Sequence, residues 1–274
     1  MQLGIINSAF SQVGVDFATG IRHIREIGFD TVDIQTEAWG IGAAEKKMIV
    51  RECRANSLPI VSLTCCALGI ADFAEPVRRF HLDRVKAFLD LTAEVGGRNL
   101  LLVLGEYIWQ KEVIPPAAQW GWAVEAVREA GEYAKKQGLE IVIELEPFHM
   151  SIVNTVDLMA SFIREVGHPA VFANIDVSHV VLSGAKPEEL RKFKGLAHHV
   201  HFSDCDGKVH GDLPPGQGVI DFAPWMRELA ALNMPGVLSI ELEFCPQPER
   251  IVDWVRDAYR ETARLMAEAG LRPA

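Results

Sequence analysis

No stretch of the chain approaches the ~20 consecutive apolar residues that a helix needs to cross a bilayer. The start, Met1-Gln2-Leu3-Gly4, has no cationic segment ahead of an apolar one. Neither a membrane span nor a secretory leader is therefore expected. Basic residues form no block: 27 Lys and Arg stand against 37 Asp and Glu, for a net charge of −10. That balance carries no electrostatic footprint for nucleic acid. The five cysteines, Cys53, Cys65, Cys66, Cys205 and Cys245, include no CxxC pair. An odd number at scattered positions predicts reduced thiols and a cytoplasmic protein. Cys65 and Cys66, as strand neighbours, face opposite ways and read as packing rather than redox residues. Also missing are a GxGxxG turn and a Walker phosphate loop. Ser8-Ala9-Phe10-Ser11-Gln12 stands where a doubly wound nucleotide-binding sheet would place its glycines.

What is present is regular alternation. Eight β-like runs are separated by helical stretches: Leu3–Ser8, Thr31–Gln35, Pro59–Cys65, Asn99–Leu104, Leu139–Leu145, Ala170–Ile175, Ala197–Phe202 and Gly236–Leu242. Several are apolar without polar alternation, as parallel strands covered on both faces should be. Between them, Phe17, Ile21, Ile24 and Ile27 fall on one helical face, as do Val85, Phe88, Leu89 and Thr92. The sets Trp122, Val124, Val127, Ala130 and Ile251, Val252, Val255, Tyr259, Ala263 repeat the pattern. Turn residues such as Gly28, Gly138 and Pro235-Gly236 precede the strands. Eight β/α units in 274 residues predict an α/β fold, a (β/α)₈ TIM barrel forming a single domain over 1–274. The doubly wound open sheet is the alternative.

The strand ends are acidic. Ile143-Glu144-Leu145-Glu146-Pro147-Phe148 is echoed by Ile240-Glu241-Leu242-Glu243-Phe244. Between them lie Asp176-Val177-Ser178-His179 and His199-Val200-His201-Phe202-Ser203-Asp204, each closing an apolar run. A strand that only packs has no use for terminal charges, because buried charge is costly unless compensated. In a TIM barrel these ends form the active face. Glu144, Asp176, His201 and Glu241, from four consecutive strands, form a candidate set for one hard or borderline divalent ion, Mn²⁺, Mg²⁺ or Co²⁺. Glu146 and Glu243 read as supporting or rim residues beside it, Glu146 also as a substrate-binding residue, and His199 as a packing or supporting residue. His179, three residues after Asp176, is expected to bind a substrate carbonyl or hydroxyl. Two further sets are candidates to contact or wall a sugar: His210, in the long Gly- and Pro-rich loop from Asp204 to Gly218, and the aromatics Phe10, Trp39, Trp109 and Phe148.

The order of these motifs, continued by Pro214-Pro215-Gly216-Gln217-Gly218-Val219-Ile220-Asp221-Phe222 and Ser239-Ile240-Glu241, resembles the xylose isomerase-like barrel superfamily. It looks most like the sugar isomerase and epimerase group, with ketose 3-epimerases and inosose-metabolising enzymes. Asn154-Thr155 also fits. The resemblance implies one divalent metal held by Glu144, Asp176, His201 and Glu241. It departs from ketose 3-epimerases at Glu146-Pro147-Phe148-His149 and Asp204-Cys205-Asp206-Gly207, where an Arg is usual. Xylose isomerase proper has Lys where Glu146 stands. Apurinic endonucleases of this fold need extra histidines on early strands, and none follows Gln35, Glu37, Thr64 or Cys65.

The expected chemistry is proton abstraction next to a carbonyl, through an enediolate, on a sugar or cyclitol. Glu144 and Glu241 are the expected proton carriers. Expulsion of a β-substituent would instead make a lyase or dehydratase acting on an inosose or 3-keto-sugar. A non-catalytic sugar-sensing barrel is a further alternative. Homo-oligomerisation is left open.

Overall fold

The computed structural model describes residues 1–109 and 113–273. The eight apolar runs are the eight strands: β1 Gln2–Ile6, β2 Thr31–Ile34, β3 Ile60–Cys66, β4 Asn99–Val103, β5 Glu140–Ile143, β6 Val171–Asp176, β7 Ala197–Phe202 and β8 Val237–Ile240. Each pairs in parallel with the next, and β1 pairs with β8, so the sheet closes as a barrel in chain order. Closure leaves no sheet edge, and alternate residues point into the barrel or out to the helices.

The outer layer consists of α1 Ser8–Ser11, α2 Phe17–Ile27, α3 Ala43–Ala55, α4 Glu75–Val95, α5 Pro116–Lys136, α6 Val156–Val166, α7 Val177–Leu182, α8 Phe222–Leu232 and α9 Ile251–Glu268. Two 3₁₀ segments, Pro187–Phe193 and Pro248–Arg250, complete the described elements. The faces expected from periodicity turn inward. Ile21, Ile24, Val85, Phe88, Leu89, Val127, Ala130 and Val255 are buried against outward strand residues such as Leu3, Ile5, Val32 and Leu63. Trp122 is half-buried, with the Arg78 guanidinium 4.5 Å above its ring.

Two local features set which strand residues reach the barrel interior. Between β6 and β7, Ala173 pairs with Ala197 but Asn174 pairs with His199, so His198 is an extra residue. That bulge rephases β7. Ala197 packs outward with Ala173, whereas His199 and His201 stand opposite Asn174 and Asp176. On β1, Gly4 leaves room where a Cβ would lie 2.4 Å from Thr31 Oγ1 and 2.7 Å from Ser239 Oγ. No other residue fits that approach without displacing two buried hydroxyls.

Strands β5 and β8 end earlier than the sequence predicts, at Ile143 and Ile240 rather than at residues 145 and 242. The acids therefore sit just past the strands, although Glu144 N–H still donates to Leu102 O at 3.0 Å and Glu241 N–H to Phe202 O at 3.3 Å. Cys65 faces the helices, and burial pushes its thiol up to about 12. Its neighbour Cys66 is exposed, on the opposite face. No helix among the described residues is long and apolar enough to cross a membrane.

Candidate active site at the strand ends

At the C-terminal end of the barrel, Glu144, Asp176, His201 and Glu241 converge. Glu144, Asp176 and His201 each offer a ligand atom within 4.8 Å of the others. His201 Nδ1 lies 2.7 Å from Glu241 Oε2 and 3.5 Å from Glu144 Oε2. Glu144, Asp176 and His201 are 2 %, 0 % and 1 % exposed, so their charges are out of water.

Each is oriented by neighbours that leave other atoms free. Asp176 caps α7: its Oδ1 accepts from His179 N–H at 2.8 Å and from Ser178 Oγ at 2.9 Å. Its Oδ2 has no partner. Asn174 donates Nδ2 to Glu144 Oε2 at 2.7 Å, while Glu144 Oε1 has none. His201 Nε2 has no hydrogen-bond partner, and Nδ1 faces only the Glu241 and Glu144 carboxylates. Burial, reinforced by Asp176 and Glu241, raises the Glu144 carboxyl well above the usual range. Burial, Asp212 and Asp176 do the same to Glu241. On Asp176 burial acts upward too, but His179 and His201 outweigh it and hold the group low. Three carboxylates and an imidazole, brought together with unpartnered oxygens on Glu144 and Asp176, fit a divalent cation by donor type.

His179 sits beside this set. Its Nδ1 donates to Leu145 O at 2.7 Å, which directs an unpartnered Nε2 away from that carbonyl. Burial alone would lower its pKa, but Asp176, Glu146 and Asp212 push it up to about 9. It does not cap α7 with its side chain; Asp176 does. Glu146 is half-buried and His210 is 22 % exposed, their ligand atoms within 4.8 Å of one another and of His179. His199 lies deeper, its Nε2 3.0 Å from Asp33 Oδ2, with its ring edge-on to His201 at 5.3 Å.

The loop after β7 is built rather than slack. Asp204 and Leu213 bridge as antiparallel partners. The Asp204 carboxylate accepts from the N–H groups of Cys205, Gly216, Gly218 and Ile220, at 2.9, 2.9, 2.9 and 3.1 Å. Gly218 is required, since a Cβ there would meet Asp204 Oδ1 and Cys205 O at 2.2 Å each. This folding delivers Asp212, which the sequence reading missed. Asp212 is 0 % exposed, and its Oδ1 accepts from Ser203 and Ser178 at 2.8 and 3.1 Å. Asn174 and Asp33 were missed as well. Their positions inside the barrel follow from strand phase, which two-residue alternation from Asp176 and from Gln35 indicates.

The aromatics divide. Phe148 lies 5.7 Å from the His210 ring and is exposed at the mouth. Trp109 is 59 % exposed and stacks on Phe73 at 5.0 Å, and Trp39 meets Phe80 at 4.8 Å. Phe10 does not wall the mouth. It is 1 % exposed, stacked at 5.9 Å on His23 and close against Gly20, because α1 turns its ring onto α2.

Comparison with known proteins places this geometry. Fructoselysine 3-epimerase from Escherichia coli O157:H7 is 24 % identical over 260 residues, covering 88 % of this chain and 90 % of that protein. Inosose dehydratase from Clostridium botulinum (strain Alaska E43 / Type E3) is 27 % identical over 161 residues, covering 52 % of this chain and 51 % of that protein. Among solved structures, the IOLI protein, crystallised with a bound zinc atom, superposes with a TM-score of 0.85 at 18 % identity. That match covers 98 % of this chain and 99 % of that one, and shows a shared fold. The family model described as xylose isomerase-like TIM barrel matches residues 21–272, and the chain belongs to that family.

Proposed function

We propose that the protein is a divalent-metal-dependent sugar epimerase or isomerase, with Glu144, Asp176, His201 and Glu241 as metal ligands. The observation that carries the proposal is the meeting of Glu144 and Glu241 on one imidazole, His201, with free carboxylate oxygens buried around it. A divalent ion bound there, Mn²⁺, Mg²⁺ or Co²⁺, supplies Lewis-acid polarisation of a substrate carbonyl.

The chain's own residues do the rest. Glu144 and Glu241 come from β5 and β8, so they address a substrate carbon from two sides. One carboxylate removes the proton next to the carbonyl and the other returns a proton to the opposite face, which inverts the centre. His179 Nε2 donates to the carbonyl or a neighbouring hydroxyl. Glu146 and His210 hold further hydroxyls, and Phe148 and Trp109 flank the entrance. The free state of all five cysteines agrees with a reducing, cytoplasmic setting.

A second reading is favoured by the dehydratase among the relatives. The same first proton abstraction followed by loss of a β-hydroxyl makes a dehydratase. A sensing barrel without catalysis is disfavoured by the complete acid set and by relatives that are enzymes. Incubation with Mn²⁺ and a panel of ketoses and inososes in D₂O decides between the two. An epimer or isomer carrying one deuterium on carbon supports the proposal. Loss of water without a deuterated epimer replaces it with the dehydratase.

A further inference from the structure

Seven of the twelve large hydrophobic side chains exposed among the described residues come from one sector, between the end of β2 and the start of α5. A soluble surface normally scatters such residues singly. Here they form a ridge along the start of α4. Phe73, Val77 and Phe80, which are 46 %, 38 % and 53 % exposed, follow one another at helical spacing. Trp109, 59 % exposed, extends the ridge at one end by stacking on Phe73 at 5.0 Å. Trp39, 40 % exposed, extends it at the other, edge-on to Phe80 at 4.8 Å. Leu68 adds to its side, through Gly69, where a Cβ would meet Val77 Cγ1 at 2.9 Å.

This is not the face with which α4 packs on the barrel. Leu82, Val85, Leu89 and Thr92 are the buried stripe, and Arg78, one turn before Leu82, lies over the Trp122 ring. The exposed stripe stands about a third of a turn away from it. Phe and Val are mediocre helix formers, so local propensity gives no reason to place them there. The four rings, each about half exposed, leave roughly 400 Å² of apolar surface open, and Leu68 and Val77 bring it to roughly 600 Å². A standard interface covers about 800 Å² on each partner, of which about two-thirds is apolar in homodimers. The ridge matches the apolar part of such an interface.

We propose that this ridge is the contact with a second copy of the chain, paired across a two-fold axis. The row runs through positions 73, 77, 80 and 84, a spacing that reads the same in both directions. An antiparallel copy of α4 therefore presents the same ridge, as an isologous contact requires. Charge agrees with a self-pairing. Glu75, Arg79 and Asp83 run beside the row, exposed and alternating in sign at four-residue steps. Such a row offers the Arg79 of each copy an acid on the other. A membrane surface fits less well. The chain carries a net charge of −10, and Glu37, Glu75 and Asp83 edge the ridge, so anionic headgroups are repelled. Because Trp109 also flanks the proposed entrance, the second copy stands beside the mouth of the barrel.

The test is sedimentation velocity of the full chain across a wide dilution series. A species of twice 30.3 kDa is expected. The double variant Val77→Glu, Phe80→Glu puts like charges on both sides of the contact and should sediment as the monomer. Its helical circular dichroism should be retained, because both positions are exposed. Mixing Phe80→Glu chains with Phe80→Lys chains should bring the dimer back, at least about tenfold tighter than either variant alone. Should the double variant not fold, hydrogen exchange of residues 72–84 in the wild-type chain gives the same readout, slowing as concentration rises. A wild-type monomer at every concentration overturns the proposal and leaves the ridge to a different partner. A dimer that the charged variants leave intact also overturns it, by placing the contact on another face. No recovery in the mixture overturns the two-fold arrangement.

Discussion

Asp33 and His199, 166 residues apart in the chain, form a fully buried pair at 3.0 Å beneath the mouth of the barrel. Asp33 Oδ1 also accepts Ser62 N–H at 3.1 Å, so three strands meet at one carboxylate. The pair supports the His201 ring from below. Asp33→Ala should therefore cost about 3–5 kcal/mol of stability by leaving His199 unpaired. Asp33→Asn, which preserves volume, should fold and bind Mn²⁺ about 10–100-fold more weakly. Chemical denaturation and metal titration check the two parts, and unchanged metal affinity in Asp33→Asn would confine the pair to structural support.

Metal removal should abolish turnover, and Mn²⁺, Co²⁺ or Mg²⁺ should restore it. Glu144→Gln and Glu241→Gln should each lower kcat by about 10²–10⁴-fold, since each removes both a proposed ligand and a proposed proton carrier. Full activity of the stripped protein would sink the metal assignment.

Metal binding should also show a pH signature in stability. Glu144 and Glu241 have raised pKa values when folded and metal-free. Their contribution is fully present below the unfolded carboxylate value of about 4.3 and is lost as pH rises through the raised values. Asp33 and Asp176 are held low and behave oppositely, contributing above the unfolded value of about 3.9 and losing it as pH falls through their lowered values. A divalent ion takes the place of the protons on the raised pair. The gain in Tm on adding Mn²⁺ should be larger at pH 7.5 than at pH 5, as scanning calorimetry can measure. An equal gain at both values counts against ligation by Glu144 and Glu241.

Asp204 holds the loop that carries His210 and Asp212. Asp204→Ala removes an acceptor of four backbone N–H groups. It should lower kcat/KM by at least ~10-fold, because misplaced catalytic geometry is costly. The helical circular dichroism should be retained. His210→Ala should reduce turnover without unfolding. If both variants keep wild-type kinetics, the loop has no part in the reaction.

The barrel was legible because its signals are local. Apolar runs such as Asn99–Val103 and helical faces such as Val85, Phe88 and Leu89 declare themselves within a few residues. The four ligand candidates were legible for a related reason. A charge at the end of a buried run is anomalous wherever it occurs, and a closed barrel brings all such ends together. Asp212 was not legible, because its burial comes from a loop tied by Asp204, in a stretch whose glycines and prolines resemble any surface turn. Phe10 failed for the opposite reason. A residue soon after β1 was expected at the mouth, but α1 folds it back onto α2, a packing choice that no short-range pattern encodes.

The Asp204 carboxylate bonds to both roots of its loop, at Cys205 and at Gly216, Gly218 and Ile220. Residues 206–215 are therefore closed at both roots and pinned in between, where Asp212 meets Ser178 and Ser203 and Leu213 pairs with Asp204. Such a segment can be exchanged as a cassette. Grafts that keep Asp204, Asp212, Leu213 and Gly218 while varying residues 206–211 alter what the barrel recognises without redesigning the strands that bear the acids. Diversification of substrate range in a scaffold of this kind requires that the clasp and the Asp212 and Leu213 anchors be preserved.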